Sequence, residues 1–116
     1  MYDLYAYHAT VLEVYDGDTI RCRIDLGFGL EMVNESIRLF GINTPEVRGE
    51  ERPEGLEARD YLRDKILGKD ITLITFKDTK GKYGRYLATV YLEVDGELVD
   101  INEQLITEGH AVEYMK

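Results

Sequence analysis

Side chains that could assist the attack of water on a phosphodiester are concentrated in three short segments of this 116-residue chain. The segments are residues 16–19 (Asp-Gly-Asp-Thr), 37–46 (Ile-Arg-Leu-Phe-Gly-Ile-Asn-Thr-Pro-Glu) and 82–85 (Lys-Tyr-Gly-Arg). Each lies at a turn or at the end of a predicted strand. Together they supply arginines, an aspartate and a glutamate, which can neutralise a phosphate, hold a hard cation and activate water. The residue types therefore indicate phosphodiester hydrolysis.

Arg38 and Arg85 are the residues that we predict to bind the phosphate, because a planar guanidinium donates two parallel hydrogen bonds to phosphate oxygens. Arg38 lies in an apolar run, where an unpaired cation would be costly. A buried ion pair is the alternative explanation for it. Glu46 is the candidate general base, or the residue that orients the attacking water. The alternative is an ordinary surface acid after a proline.

A hard divalent cation is indicated, because the chain offers oxygen ligands and no cluster of cysteine and histidine. Asp18 follows a tight Asp-Gly turn, where its carboxylate can face a metal without entering the core. Asn43 either ligates the metal through its side-chain oxygen or caps the turn into Thr44 and Pro45.

The three segments, in this order and at this spacing, resemble the thermonuclease (staphylococcal nuclease-like) family, from about Val11 to Tyr114. The resemblance implies a calcium site with Asp18 as the first ligand, Asn43 at the position of a second aspartate, and the Thr44 backbone carbonyl. Because Asn43 removes a negative charge, we expect weak calcium binding without substrate. Magnesium or manganese is the alternative metal.

The resemblance also implies a nuclease that cuts DNA, RNA or both with little sequence preference and leaves 3′-phosphate ends. It puts Lys82 and Tyr83 near a terminal phosphate and Tyr114 beside a base. The alternative is a catalytically weak barrel that binds single-stranded nucleic acid or protein partners. Such relatives typically lose the glutamate and an arginine, and both are present here, which favours the enzyme.

The first half of the chain is predicted to be mostly strand. Alternating and β-branched residues, with an Asp-Gly turn at 16–17, predict three strands at 5–15, 18–26 and about 36–42. Residues 27–35 are predicted to form a long connection. Its apolar side chains, Phe28, Leu30 and Met32, need a surface to cover.

The second half is predicted to contain two helices and two strands. The first helix begins at Pro53, turns Ala58, Leu62 and Ile66 inward, and ends at Gly68. Strands are predicted at 70–77 and 86–94, followed by a turn at 95–96. Asp100 and Glu103 form the capping box of a second helix, which Gly109 closes.

The order β-β-β-α-β-β-α predicts a mainly β, α+β domain built on a five-stranded barrel of the oligonucleotide/oligosaccharide-binding (OB) type. The resemblance implies the same fold. The family's third, C-terminal helix is expected to be absent. We expect residues 1–116 to form a single domain.

Composition limits the partners. The net charge of −9 opposes long-range attraction of a polyanion, so any positive surface must be local. There is no apolar run of membrane-spanning length, and no basic-then-apolar leader at the N-terminus, which predicts a cytoplasmic or intracellular protein. Cys22 shares the apolar phase of its strand and is predicted to be a buried, unreactive thiol. The oligomeric state is left open.

Overall fold

The computed structural model describes residues 5–75 and 85–114. Its helical elements are a short 3-10 turn, Gly49–Glu51, and two α-helices, α1 (Arg52–Ile66) and α2 (Ile101–Thr107). Eight strands are found within the described residues: β1 (Tyr5–Asp16), β2 (Thr19–Gly27), β3 (Leu30–Leu39), β4 (Ile42–Asn43), β5 (Asp70–Thr75), β6 (Tyr86–Val94), β7 (Glu97–Asp100) and β8 (Val112–Glu113).

Five of these strands close into a barrel. Their order is β3-β2-β1-β5-β6, and a parallel pairing of β3 with β6 closes the ring. That closure joins Ile37 to Tyr86, Arg38 to Leu87 and Leu39 to Ala88. Strand β7 extends the sheet beside β6, while β4 and β8 form a separate pair. The predicted mainly β, five-stranded OB barrel with two helices is confirmed.

The barrel interior is filled by alternate residues of the strands, and α1 covers one opening. Ala58, Leu62 and Ile66 are fully buried, as the spacing along the helix predicted. Gly68 follows the helix in a left-handed conformation that favours glycine. Cys22 is also fully buried, and desolvation raises the pKa of its thiol to about 12, which keeps it protonated and unreactive.

The prediction for the third strand was wrong at both ends. Residues 27–35 are not a long connection, because a tight turn at Gly27–Gly29 starts β3 at Leu30, paired with Gly27. The two glycines have positive φ, which allows the turn and which an apolar-pattern analysis does not detect. The strand then ends at Leu39, where Gly41 redirects the chain into β4. Of the three apolar side chains predicted to need cover, Met32 packs on the core, whereas Phe28 and Leu30 are exposed.

The second half of the chain agrees more closely with the predicted elements. Strand β6 has the predicted limits, and β5 matches the described part of 70–77. Strand β7 was missed because only four residues separate the 95–96 turn from α2. The Asp100 side chain accepts a hydrogen bond from the Glu103 backbone N–H at 2.9 Å, so the predicted helix cap is present. In the described part of the chain, no helix is long and apolar enough to cross a membrane.

Candidate active site

One rim of the barrel brings together parts of the chain that are distant in sequence. The β1–β2 turn, the end of β3 and the start of β6 meet there. The Leu39 backbone N–H donates to the Asp18 carbonyl at 2.9 Å, and the Phe40 N–H donates to the Ala88 carbonyl at 2.8 Å. These backbone bonds fix the predicted site segments relative to one another.

Asp18 lies at the centre of this rim and is only 6% exposed. Its Oδ1 accepts a hydrogen bond from the Thr19 hydroxyl at 3.2 Å. Its Oδ2 accepts from the Thr44 backbone N–H at 3.2 Å and lies 3.5 Å from Arg38 Nη2. The carboxylate is therefore held in one orientation by three donors, Thr19, Arg38 and Thr44.

Arg38 makes several contacts within this cluster. Its Nη2 donates to Asn43 Oδ1 at 3.1 Å, and its Nη1 donates to the Leu39 carbonyl at 3.1 Å. The guanidinium carbon lies 5.4 Å from the centre of the Tyr114 ring, within cation–π range. The ion pair considered as an alternative for Arg38 is thus present in this ligand-free structure, with Asp18 as the partner.

Arg85 reaches the same rim from the start of β6. Its Nη1 donates to the Thr19 hydroxyl at 3.0 Å, next to the hydrogen bond between Thr19 and Asp18. The two predicted phosphate-binding arginines therefore contact adjacent residues. Lys82 and Tyr83 lie outside the described residues, so their predicted positions stay predictions.

Glu46 is exposed and follows the Thr44–Pro45 turn. Its backbone N–H donates to Glu51 Oε1 at 2.9 Å. Helix α1 is packed against the next peptide group, between Glu46 and Val47, since a Cβ built on Gly55 would lie 1.9 Å from the Glu46 carbonyl oxygen. Both contacts fix the backbone of Glu46 and leave its side chain in solvent beside the rim.

Asp16 is a member of this site that was missed as a candidate. It is 9% exposed, and its pKa is raised from 3.8 to about 7, mainly by burial and then by the charge of Asp18. The charge of Glu46 raises it further, so this carboxylate also faces the rim. Asp16 pairs with Thr19 across the turn. The Asp18 backbone N–H donates to Asp16 Oδ1 at 3.1 Å, so the Asp-Gly-Asp spacing around a tight turn is the sequence signal that could have identified Asp16.

The donor chemistry at the rim fits a hard divalent cation. The Asp16 pKa is raised first by burial and then by the charge of Asp18, and a cation beside the two carboxylates would relieve their repulsion. Asn43 Oδ1 adds a neutral oxygen. Within 5–75 and 85–114, however, no group of three or more His, Cys, Asp or Glu residues could hold a metal ion. A cation at this rim would thus have few protein ligands.

Two surface hollows border the described structure. One of about 230 Å³ lies between Asn43, Thr44 and residues 109–112, next to the rim. A larger one of about 600 Å³ lies along the exposed faces of β1, β2 and β3, where Phe28 and Asp25 contribute to its wall. The larger hollow contains none of the predicted site residues, so its size does not make it the reaction centre.

The fold and the rim define a class of protein: an OB barrel with an acidic and arginine-containing site at one end. Comparison with known sequences identifies the family. The family model for staphylococcal nuclease homologues matches residues 36–116, more than half of the chain. The chain therefore belongs to the staphylococcal nuclease family.

Of two individual relatives, one is a named nuclease and the other is uncharacterized. A thermonuclease of Staphylococcus hyicus is 34% identical over 104 residues, covering 87% of this chain and 56% of that protein. An uncharacterized protein of Methanocaldococcus jannaschii is 25% identical over 130 aligned residues, covering 94% of this chain and 60% of that protein. The chain thus spans less than two thirds of the length of either relative.

Proposed function

We propose that this chain is a calcium-dependent nuclease that hydrolyses phosphodiester bonds in DNA, RNA or both, with low sequence specificity and 3′-phosphate products. The observation that carries the proposal is the convergence of two arginines on one aspartate-containing turn. Arg38 contacts Asp18, and Arg85 contacts the adjacent Thr19. The family assignment supports a nuclease-like activity on nucleic acid.

In this proposal, Arg38 and Arg85 bind the non-bridging phosphate oxygens. A guanidinium carries its N–H donors in a planar fork, which suits it to bind two phosphate oxygens at once. Positive charge held in place before the reaction stabilises the additional negative charge of the transition state. The Arg38 contacts with the Leu39 carbonyl and the Tyr114 ring would keep its guanidinium oriented during that step.

Glu46 is assigned the role of general base, or of the residue that orients the attacking water. Its carboxylate is exposed, so water reaches it directly, while its backbone is fixed by Glu51 and Gly55. A fixed backbone with a solvent-facing carboxylate is suited to aligning water for attack on a bound phosphate.

Asp18, Asn43 and the Thr44 backbone carbonyl are the residues that we propose to hold calcium, with Asp16 close behind them. When bound, the ion supplies Lewis-acid charge neutralisation at a phosphate oxygen. Magnesium or manganese would fit the same oxygen donors. Beyond the phosphate, Tyr114 is proposed to flank a base, and Lys82 and Tyr83 to bind a terminal phosphate.

The direct test is digestion of single-stranded DNA and RNA by wild type and by Glu46→Gln, with calcium, with magnesium and with chelator. Glu57→Gln, an exposed acid on α1, is the matched control. We expect Glu46→Gln to lower the calcium-dependent rate by about a hundredfold or more while keeping the fold and substrate binding, and the control to behave as wild type. Near-wild-type turnover of Glu46→Gln would remove Glu46 from the mechanism.

The same assay distinguishes the alternative of a binding module. Wild type that cleaves neither nucleic acid with any of the metals, yet binds single strands tightly in chelator at moderate salt, would contradict the nuclease proposal. The net charge of −9 makes such metal-free binding an unexpected result.

A further inference from the structure

Arg38 occupies both of the side-chain oxygen donors that the proposed function assigns to the metal. One nitrogen, Nη2, lies 3.5 Å from Asp18 Oδ2 and 3.1 Å from Asn43 Oδ1. Both are oxygens of the kind that a hard cation binds. We propose that the Arg38 guanidinium is an internal competitor of the divalent cation, which holds Asp18 and Asn43 together in the metal-free protein. The inference rests on the proposed metal site.

The Arg38 guanidinium is held in this position by several contacts. Nη1 is bound to the Leu39 carbonyl, the guanidinium lies beside the Tyr114 ring, and the Arg38 side chain is only 15% exposed. Such contacts limit the rotamers that Arg38 can reach. A guanidinium held in this way is a fixed counter-charge, unlike a mobile surface cation whose position averages over many rotamers.

Charge gives a reason for the contact. Asp16 and Asp18 lie on one tight turn, where the Asp18 backbone N–H donates to Asp16 Oδ1 at 3.1 Å, and two carboxylates held this close repel each other. Without a metal, Arg38 supplies a positive charge that offsets their repulsion. A divalent ion at Asp18 and Asn43 would repel the guanidinium at the same acceptors, so the two cations compete for them.

Asn43 shifts this competition toward the arginine. A neutral amide oxygen is a good hydrogen-bond acceptor for a guanidinium, but it attracts a divalent cation less than a carboxylate does. Of the two shared acceptors, only Asp18 carries charge. In this chain, therefore, the metal must displace a cation while gaining only one charged side chain from the pair.

The test is calorimetric titration of calcium into metal-stripped, substrate-free protein. We compare wild type with Arg38→Gln, and use Arg85→Gln as a control of equal charge at the same rim. Arg38→Gln should bind calcium about tenfold more tightly, the scale of one charge-assisted hydrogen bond, and clearly more tightly than Arg85→Gln. Equal affinity of Arg38→Gln and wild type, or an equal gain in Arg85→Gln, would overturn the proposal.

Two further measurements keep the proposal testable if Arg38→Gln does not fold. Arg38→Lys keeps the charge but loses the guanidinium fork, so we expect this variant to bind calcium about threefold more tightly than wild type. A folded Arg38→Lys protein with the calcium affinity of wild type would count against the competition. In wild type, the NMR signal of the Arg38 Nε–H should change with the same midpoint as calcium binding. A signal that stays constant through saturation would also overturn it.

Cleavage of single-stranded DNA by wild type, measured in parallel, separates this inference from the proposed function. If wild type binds calcium and cleaves but Arg38→Gln binds no more tightly, the internal competitor is refuted and the nuclease assignment stands. If wild type neither binds calcium nor cleaves, the proposed function fails and this inference fails with it.

Discussion

Replacing Gly55 with alanine should damage both stability and the site, although alanine is the better helix former. A Cβ at this position would lie 1.9 Å from the Glu46 carbonyl oxygen, 2.4 Å from its carbonyl carbon and 2.9 Å from the Val47 nitrogen. All three atoms belong to backbone, so no side-chain rotation can relieve the overlap. An ordinary carbon–oxygen contact would require the two segments to separate by roughly 1.5 Å.

Two opposing effects set the size of the change. Alanine favours a helix over glycine by about 1 kcal/mol. Overpacking usually costs about 1–3 kcal/mol and more when backbone must move. Because backbone must move here, we expect Gly55→Ala to lower the free energy of unfolding by about 2 kcal/mol. A displacement of Glu46 by about 1 Å can lower the cleavage rate by roughly a hundredfold.

Urea denaturation and single-turnover cleavage of single-stranded DNA measure the two effects. Glu57→Ala, at an exposed position two residues further along α1, provides the matched control and should change neither by much. Gly55→Ala that is as stable as wild type and cleaves at the same rate would refute the reasoning, since it would mean that α1 does not press on the Glu46 peptide.

Five other substitutions test separate parts of the structure. The pKa of Asp16 is about 7 in the folded protein and 3.8 in the unfolded chain, so the folded state holds this proton more tightly. The contribution of Asp16 to the free energy of unfolding is therefore complete below about pH 4 and is lost as the pH rises to about 7. In chelator, Asp16→Asn should therefore be more stable than wild type by on the order of 2–4 kcal/mol at pH 8 and by little at pH 4, as measured by urea denaturation. Arg38→Lys and Arg85→Lys should each lower the cleavage rate by about tenfold or more, because the bidentate donors are lost. Full activity of both variants would mean that the two arginines act only through their positive charge. Asn43→Asp should tighten calcium binding in calorimetry, with a larger gain when Arg38 is also Gln, since the new carboxylate otherwise pairs with Arg38. An unchanged affinity in both backgrounds would mean that Asn43 does not face the metal. Phe28→Asn should raise the free energy of unfolding by up to about 1 kcal/mol, because the exposed Phe28 has a φ of +57°, which asparagine tolerates better; a clear destabilisation would refute this.

Much of the fold was predictable because the sequence carries local signals for it. The inward row of α1, the Asp100 cap and the limits of β6 each follow from side-chain pattern or capping chemistry within a few residues. The start of β3 was not predictable in the same way. Its turn depends on two glycines with positive φ around a fully exposed Phe28, where an apolar side chain suggested a covered connection.

At the site, too, the candidate residues were predictable from short sequence motifs, whereas their contacts were not. Sequence order was enough to select Asp18, Arg38, Glu46 and Arg85 as candidates. It could not show that Arg38 and Asp18 are in contact, because that pair depends on the register between β2 and β3, which opposes Thr19 and Arg38. Asp16 was missed for a related reason, since its burial and raised pKa arise from packing around the turn.

The charges at the rim would give the proposed metal ion a second role, in attracting the nucleic acid. With the pKa of Asp16 at about 7, its carboxyl is partly protonated near neutral pH. Among the described side chains assigned to the site, the negative charges of Asp18 and Glu46 are then matched by the positive charges of Arg38 and Arg85. On a chain with a net charge of −9, a rim without net positive charge does little to attract a phosphate backbone. A bound divalent cation would make the rim positive, so nucleic-acid affinity should rise with metal occupancy and weaken with added salt.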